Sequence, residues 1–175
     1  MNIIGIDPGL TGAVSFIGNG GVVVATYDTP IIEIVKGKNK KHDFLPLEMA
    51  NLIRRLTKDP CHVFIEQVNA MPGQGVTSMF NFGKGYGMWV GILAYSGAPY
   101  SFVTPQAWKK ELMQGMRDKD CARLRAQQLF PRLYEELKLK KHIGRADALL
   151  IGEYGRRQLG EINSPNANIP MRRRR

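Results

Sequence analysis

The sequence predicts an α/β domain built on a mixed sheet, and three observations carry that expectation. The chain opens with three short apolar runs separated by turn signals, the pattern of an antiparallel meander. Two further apolar runs then alternate with segments of helical spacing, the order expected of strands with helices packed over them. Finally, 175 residues with 43% hydrophobic content suit about one domain with a sizeable core. The domain is expected to span residues 1–160, followed by a basic, disordered tail at 161–175.

The elements follow in order. Ile3 to Ile6, Ala13 to Ile17 and Gly21 to Tyr27 read as strands, with Pro8-Gly9 turning the first into the second and Asn19-Gly20 closing a hairpin. Residues 36–43, KGKNKKHD, are polar, basic and without period, and read as a mobile loop. Leu45, Met49, Leu52, Ile53 and Leu56 fall on one helical face. His62 to Glu66 is a short buried-type strand that ends in an acid. Residues 69–85, rich in glycine, read as a long loop leading into a buried helix from Tyr86 to Ser96, which Gly97 stops. Tyr100 to Val103 supplies a strand, and Thr104-Pro105 caps a helix through about Met113. Lys119 to Leu129 and Arg132 to Leu139 continue helically around Pro131, and a last helix runs from about Arg145 to Leu159. The tail, INSPNANIPMRRRR, has little to bury.

Composition narrows the partners. Lys plus Arg number 25 against 15 Asp plus Glu, a net charge of +10, which points to a polyanion. Cys61 and Cys121 are far apart with no CxxC spacing, and no leader precedes them; small buried thiols in a reducing, cytoplasmic setting are expected, an organelle remaining open. No apolar run approaches the roughly 18 residues of a membrane span.

The acids raise the chemical question. Asp7 closes an apolar strand in IIGIDPG, where a turn aspartate is the alternative reading; Glu66 closes another in HVFIE. Two carboxylates at the ends of neighbouring core strands repel each other and lose hydration unless a cation lies between them. Oxygen-rich sets of this kind suit Mg²⁺ or Mn²⁺, and two such ions roughly 4 Å apart can activate water and stabilise a leaving oxygen. Asp147, set among Ala146, Ala148, Leu149, Leu150 and Ile151, is a third carboxylate that wants a partner, although a helix-start acid is the alternative. His142 lies five residues earlier, about 140° away on a continuous helix, so it can join Asp147 only if the helix starts near Gly144. Glu153 reads as a surface or helix-pairing acid.

Together, GIDPGLTGA, VFIEQV and RADALLIGEYG resemble the RuvC-like Holliday junction resolvases of the ribonuclease H-like superfamily. FGKGYGMWVGIL, TPQAWKKEL, LFPRL and KKHIGRADALLIGEYG look most like the chloroplast-type and phage resolvases, and the likeness extends over about residues 3–157. The resemblance implies a ribonuclease H-like fold, with a mixed five-stranded sheet flanked by helices. It also implies a homodimer that cuts four-way DNA junctions symmetrically with two Mg²⁺ or Mn²⁺ ions per site, leaving 5′-phosphate and 3′-hydroxyl ends. Asp7, Glu66 and Asp147 are the implied metal ligands. Where bacterial RuvC proteins carry an acid or histidine three residues before the last aspartate, this chain has Gly144, so His142 is assigned as the fourth ligand. An imidazole there favours Mn²⁺.

Lys119 is the lysine expected near the scissile phosphate, with Lys109 and Lys110 as alternatives or backbone contacts. Phe80 and Phe82 are candidates for stacking on unpaired bases, core packing being the other reading. Lys84, the lysines between positions 36 and 41, and Arg172, Arg173, Arg174 and Arg175 would add sequence-independent affinity. Two rivals share parts of the pattern: an actin-like phosphotransferase, which needs a second nucleotide-binding domain, and a branched-DNA-binding relative without catalysis.

Overall fold

The structure is a computed structural model describing residues 1–162 except 38, 70–72, 74 and 117–119. Its centre is a five-stranded sheet. The strands are β1 (Asn2–Asp7), β2 (Ala13–Ile17), β3 (Val23–Asp28), β6 (Cys61–Glu66) and β7 (Tyr100–Val103), in the order β3-β2-β1-β6-β7. The first three are antiparallel, whereas β6 runs parallel to both β1 and β7, so the sheet is mixed as predicted.

Alternation along β1 and β6 decides which layer each residue enters. Ile4, Ile6, Val63 and Ile65 face α1 (Pro46–Leu56) and α2 (Val76–Ser96), meeting Met49, Ile53, Trp89 and Leu93. Ile3 and Phe64 face the opposite layer of α3 (Pro105–Leu112), α4 (Cys121–Leu129) and α6 (Ile143–Ile162), where Trp108, Leu112, Leu149 and Leu150 are buried. A single turn, α5 (Tyr134–Leu137), lies between two 3₁₀ turns, Pro131–Leu133 and Lys140–His142. Cys61 and Cys121 are buried free thiols, as expected.

The seam between α6 and the sheet is made of small residues. A Cβ on Gly5 would stand 2.1 Å from the Ala148 carbonyl oxygen, and the Ser15 hydroxyl donates to that same oxygen at 2.7 Å. One turn earlier, a Cβ on Gly144 would stand 2.1 Å from the Thr11 carbonyl oxygen. Backbone therefore meets backbone, and the start of α6 is pressed onto the β1–β2 turn.

Three expectations need correction. Residues 36–43 are not a loop: β4 (Ile31–Lys36) and β5 (Asn39–Phe44) pair as a separate two-stranded ribbon. A ribbon wet on both faces needs no apolar alternation, so the polar strand left no period to read. The helix expected from Tyr86 starts ten residues earlier, at Val76, because packing offsets the propensity cost of Gly83, Gly85 and Gly87. The helix expected over Arg132 to Leu139 reduces to the 3₁₀ turn and the single turn α5. Of the two readings of Glu153, helix pairing holds: it is buried and paired with Arg156 and Arg157 one turn on. The segment at Lys119 and the tail with Arg172 to Arg175 lie outside the described residues.

Candidate active site

β1 and β6 are parallel neighbours with Ile6 beside Ile65, so Asp7 and Glu66, one residue further on, leave the sheet at the same end. The close seam of α6 brings Asp147 over that end. The charges of these three acids act on one another across gaps of 59 and 81 residues in sequence.

Burial is the main cause of their altered titration. It pushes the Asp7 carboxyl up to about 7, helped by the Glu66 charge and opposed by the Gly9 N–H, which donates to Oδ1 at 3.3 Å. Asp147 is pushed up to about 8 by burial and then by the charges of Asp7 and Glu66. Glu66 is also raised by burial, against a hydrogen bond from Trp108 and the Lys109 charge. As whole residues Asp7 and Asp147 keep some accessible surface, but Asp147 Oδ1 is fully buried and has no hydrogen-bond partner.

Two residues of α3 serve the cluster. Fully buried Trp108 donates its indole N–H to Glu66 Oε1 at 2.8 Å. Sequence reasoning missed this role, since a tryptophan on an amphipathic helix reads as core. The ammonium of Lys109 lies over the Trp108 ring, 5.1 Å from its centre, and its charge acts on all three acids. Lys110 is exposed.

The structure does not bring His142 to these acids. It ends the 3₁₀ turn just before α6, so it precedes the helix as its assignment required, but the charges around it are Arg145, Lys141, Asp28 and Arg123. Burial and the nearby cations hold its pKa low, and its Nδ1 is buried without a partner. Arg145 pairs with Asp28 through two hydrogen bonds of 2.6 and 2.7 Å, tying α6 to the end of β3. Phe82 lines a cleft of about 300 Å³ with Gly9, Leu10 and Thr11, beside Asp7, whereas Phe80 is 71% exposed. Lys84 is paired with Asp43 at 2.6 Å. The larger cleft of about 920 Å³ between Tyr27 and the basic end of α1 is not lined by any of the three acids.

Among the described residues no group of three His, Cys, Asp or Glu side chains stands in metal-binding geometry. The donor set nonetheless has the chemistry a hard divalent ion requires: carboxylate oxygens, mutual repulsion without enough countercharge, and an orphaned buried oxygen on Asp147. The residues fit such an ion.

Comparison with solved structures adds the fold. Thermus thermophilus RuvC in complex with a Holliday junction substrate superimposes with a TM-score of 0.51 at 15% identity, covering 90% of this chain and 96% of that one. The fold is the RuvC fold. A second T. thermophilus RuvC structure gives a TM-score of 0.49 at 19% identity, over 90% of this chain and 96% of that one. In sequence, the chain is 33% identical over 92 residues to the chloroplastic Holliday junction resolvase MOC1 of Chlamydomonas reinhardtii. That match covers 52% of this chain and 10% of the relative, so the chain spans about a tenth of the curated relative's length. No protein-family model matches the chain. Within the RuvC fold, the acids occupy the ends of two adjacent parallel strands and the first turns of the last helix. Among the described residues no helix is long and apolar enough to cross a membrane.

Proposed function

We propose that the chain is a divalent-metal-dependent endonuclease that resolves four-way DNA junctions by hydrolysing phosphodiesters. The observation that carries this reading is the convergence of Asp7, Glu66 and Asp147, whose carboxyls are buried together with too little positive charge to balance them. The likeness in sequence to a chloroplast Holliday junction resolvase supports the choice of substrate.

In this reading Asp7, Glu66 and Asp147 hold Mg²⁺ or Mn²⁺, two per site, while His142, whose neighbouring charges are Arg145, Lys141, Asp28 and Arg123, is left out of the ligand set. The ions supply a lowered water pKa and charge neutralisation at the phosphate. Trp108 fixes one oxygen of Glu66 so that the other is free for a ligand. Lys109 places a cation beside the acids, and Lys119 is the second candidate for the scissile phosphate. Phe82 lines the cleft where branch-point bases unstack and exposed Phe80 is the second stacking candidate, with Lys110 and the arginine tail on the backbone.

Symmetric cutting needs two sites, so a homodimer belongs to the proposal. An apolar groove of about 720 Å³ between α1 and α2 suits the second copy. Leu47 and Tyr95 are 71% and 95% exposed there, and nothing lies within 4 Å of a Cβ built on Gly87 or Gly91, which leaves room for a close helix.

The test is cleavage of a synthetic four-way junction with Mg²⁺ and Mn²⁺ at matched concentrations, using Asp7→Asn as control. Paired nicks that need a metal and vanish in the variant are expected. Equal cutting of linear duplex, or cutting that survives the substitution, would refute the assignment.

A further inference from the structure

The β4–β5 ribbon has no place in the core, although it is firmly held at its base. The Phe44 ring occupies the space a side chain at Gly85 would take, since a Cβ there would stand 2.2 Å from its tip. Asp43 accepts two hydrogen bonds from Lys84, at 2.6 and 2.8 Å, and the Leu45 N–H donates to the Pro30 carbonyl at 3.0 Å. Beyond these anchors the two strands pair with each other in a sheet of their own. A lone two-stranded hairpin is marginal in water, and an apolar ribbon exposes an aggregation-prone edge. Yet Ile32, Ile34 and Val35 are 46%, 40% and 57% exposed.

Register shows what accompanies them. Ile34 stands opposite Lys41, and Val35 stands opposite Lys40, so each face sets a branched apolar side chain beside a lysine. Lys40 is 66% exposed, with only a surface pair to Glu33, and such pairs hold little. A second copy of this chain is a poor occupant of the ribbon, because a two-fold contact there would bring two sets of Lys40 and Lys41 together. DNA meets both features. Its major groove admits a two-stranded ribbon, phosphates line the groove edges, and apolar side chains pack on thymine methyls and sugars.

The anchors also place the ribbon. Gly85, against which Phe44 packs, lies one turn after Asn81 and Phe82 on the same face of α2, and those two residues line the cleft at Asp7. We infer that the β4–β5 ribbon is a second DNA-contact element, docked edge-on in the groove of a duplex arm beside the branch point, so that one face sets Ile34 and Lys41, and the other Val35 and Lys40, against opposite walls of sugars and phosphates. This deepens the nuclease reading and rests on it.

The test uses the full chain carrying Asp7→Asn, so that binding is read without cleavage. Affinity for a labelled four-way junction is followed by fluorescence anisotropy from about 0.05 to 0.2 M salt. Lys40→Ala with Lys41→Ala should weaken binding ~10-fold at 0.15 M and flatten the slope of log K against log salt by roughly 1 to 2. Ile34→Ser with Val35→Ser should weaken binding several-fold and leave the slope unchanged. Circular dichroism and melting temperature confirm that these exposed substitutions keep the fold. Parent-like affinity and slope in both variants would overturn the inference and leave the nuclease reading standing. So would a change in oligomeric state at unchanged affinity, which would make the ribbon a self-contact. A parent that binds no junction would overturn both.

Discussion

Replacing Asp147 by Asn should stabilise the metal-free protein above neutral pH. An unfolded aspartate titrates near its ordinary value of 3.8, whereas burial and the charges of Asp7 and Glu66 push the folded carboxyl up to about 8. Between those values the folded state holds a proton that the unfolded state has released, so stability falls as pH rises through the window from about 4 to about 8. At about 1.4 kcal/mol per pH unit, the gap sets an upper limit of about 6 kcal/mol. The cleft opens to water and the three acids share their protons, which leaves about 2 kcal/mol as the expected cost at pH 8.5. Asparagine has the same shape, cannot ionise, and can donate to the neighbouring carboxylates. In the presence of a chelator, Asp147→Asn should therefore melt about 4–8 °C above the parent at pH 8.5 and near it at pH 5. Adding Mn²⁺ should reverse the order, since an ion stabilises the folded parent by mass action and has fewer ligands in the variant. Calorimetry at both pH values is the assay. A variant no more stable than the parent at pH 8.5, or with the same pH profile, would show that Asp147 is not charged at a cost.

Two further outcomes follow from the packing. Gly5→Ala should destabilise the fold by about 3 kcal/mol, as the new methyl meets the Ala148 carbonyl oxygen across a seam with no slack; chemical denaturation measures it, and a loss under 1 kcal/mol would mean that α6 can lift off the sheet. Trp108→Phe removes the indole N–H from Glu66 while keeping the ring, so junction cleavage and Mn²⁺ affinity should each drop ~10-fold or more with the far-ultraviolet circular dichroism unchanged; unchanged metal affinity would reduce Trp108 to core packing.

The meander, β6, β7, α1, α3 and α6 were legible because their burial is one-sided or complete, so the apolar period survives in the residues. The ribbon escaped because Asn39 to Asp43 is paired along its backbone while its side chains face water. The start of α2 escaped because Gly83 and Gly85 argue against a helix, and only the Phe44 ring filling the notch at Gly85 shows why one forms. At the site, Asp7, Glu66 and Asp147 could be picked out as acids in apolar surroundings, which is a local signal. The link from Trp108 to Glu66 spans 42 residues and depends on α3 crossing the end of β6, so no local signal exists for it. His142 shows the limit from the other side: its spacing from Asp147 is readable, but its direction depends on the 3₁₀ turn and on the ion pair between Asp28 and Arg145.

The two halves of this architecture constrain each other. The acids come together because Gly5, Ser15 and Gly144 let α6 lie against β1 and the turn that follows it, so a close backbone seam is spent on holding like charges near one another. In metal-free protein that arrangement works against folding, while the cores on either face of the sheet supply the compensating burial. Substitutions that loosen the seam and substitutions that neutralise an acid should thus act in opposite directions on metal-free stability, yet both should remove cleavage. That opposition separates a site that strains the fold from one that is merely part of its core.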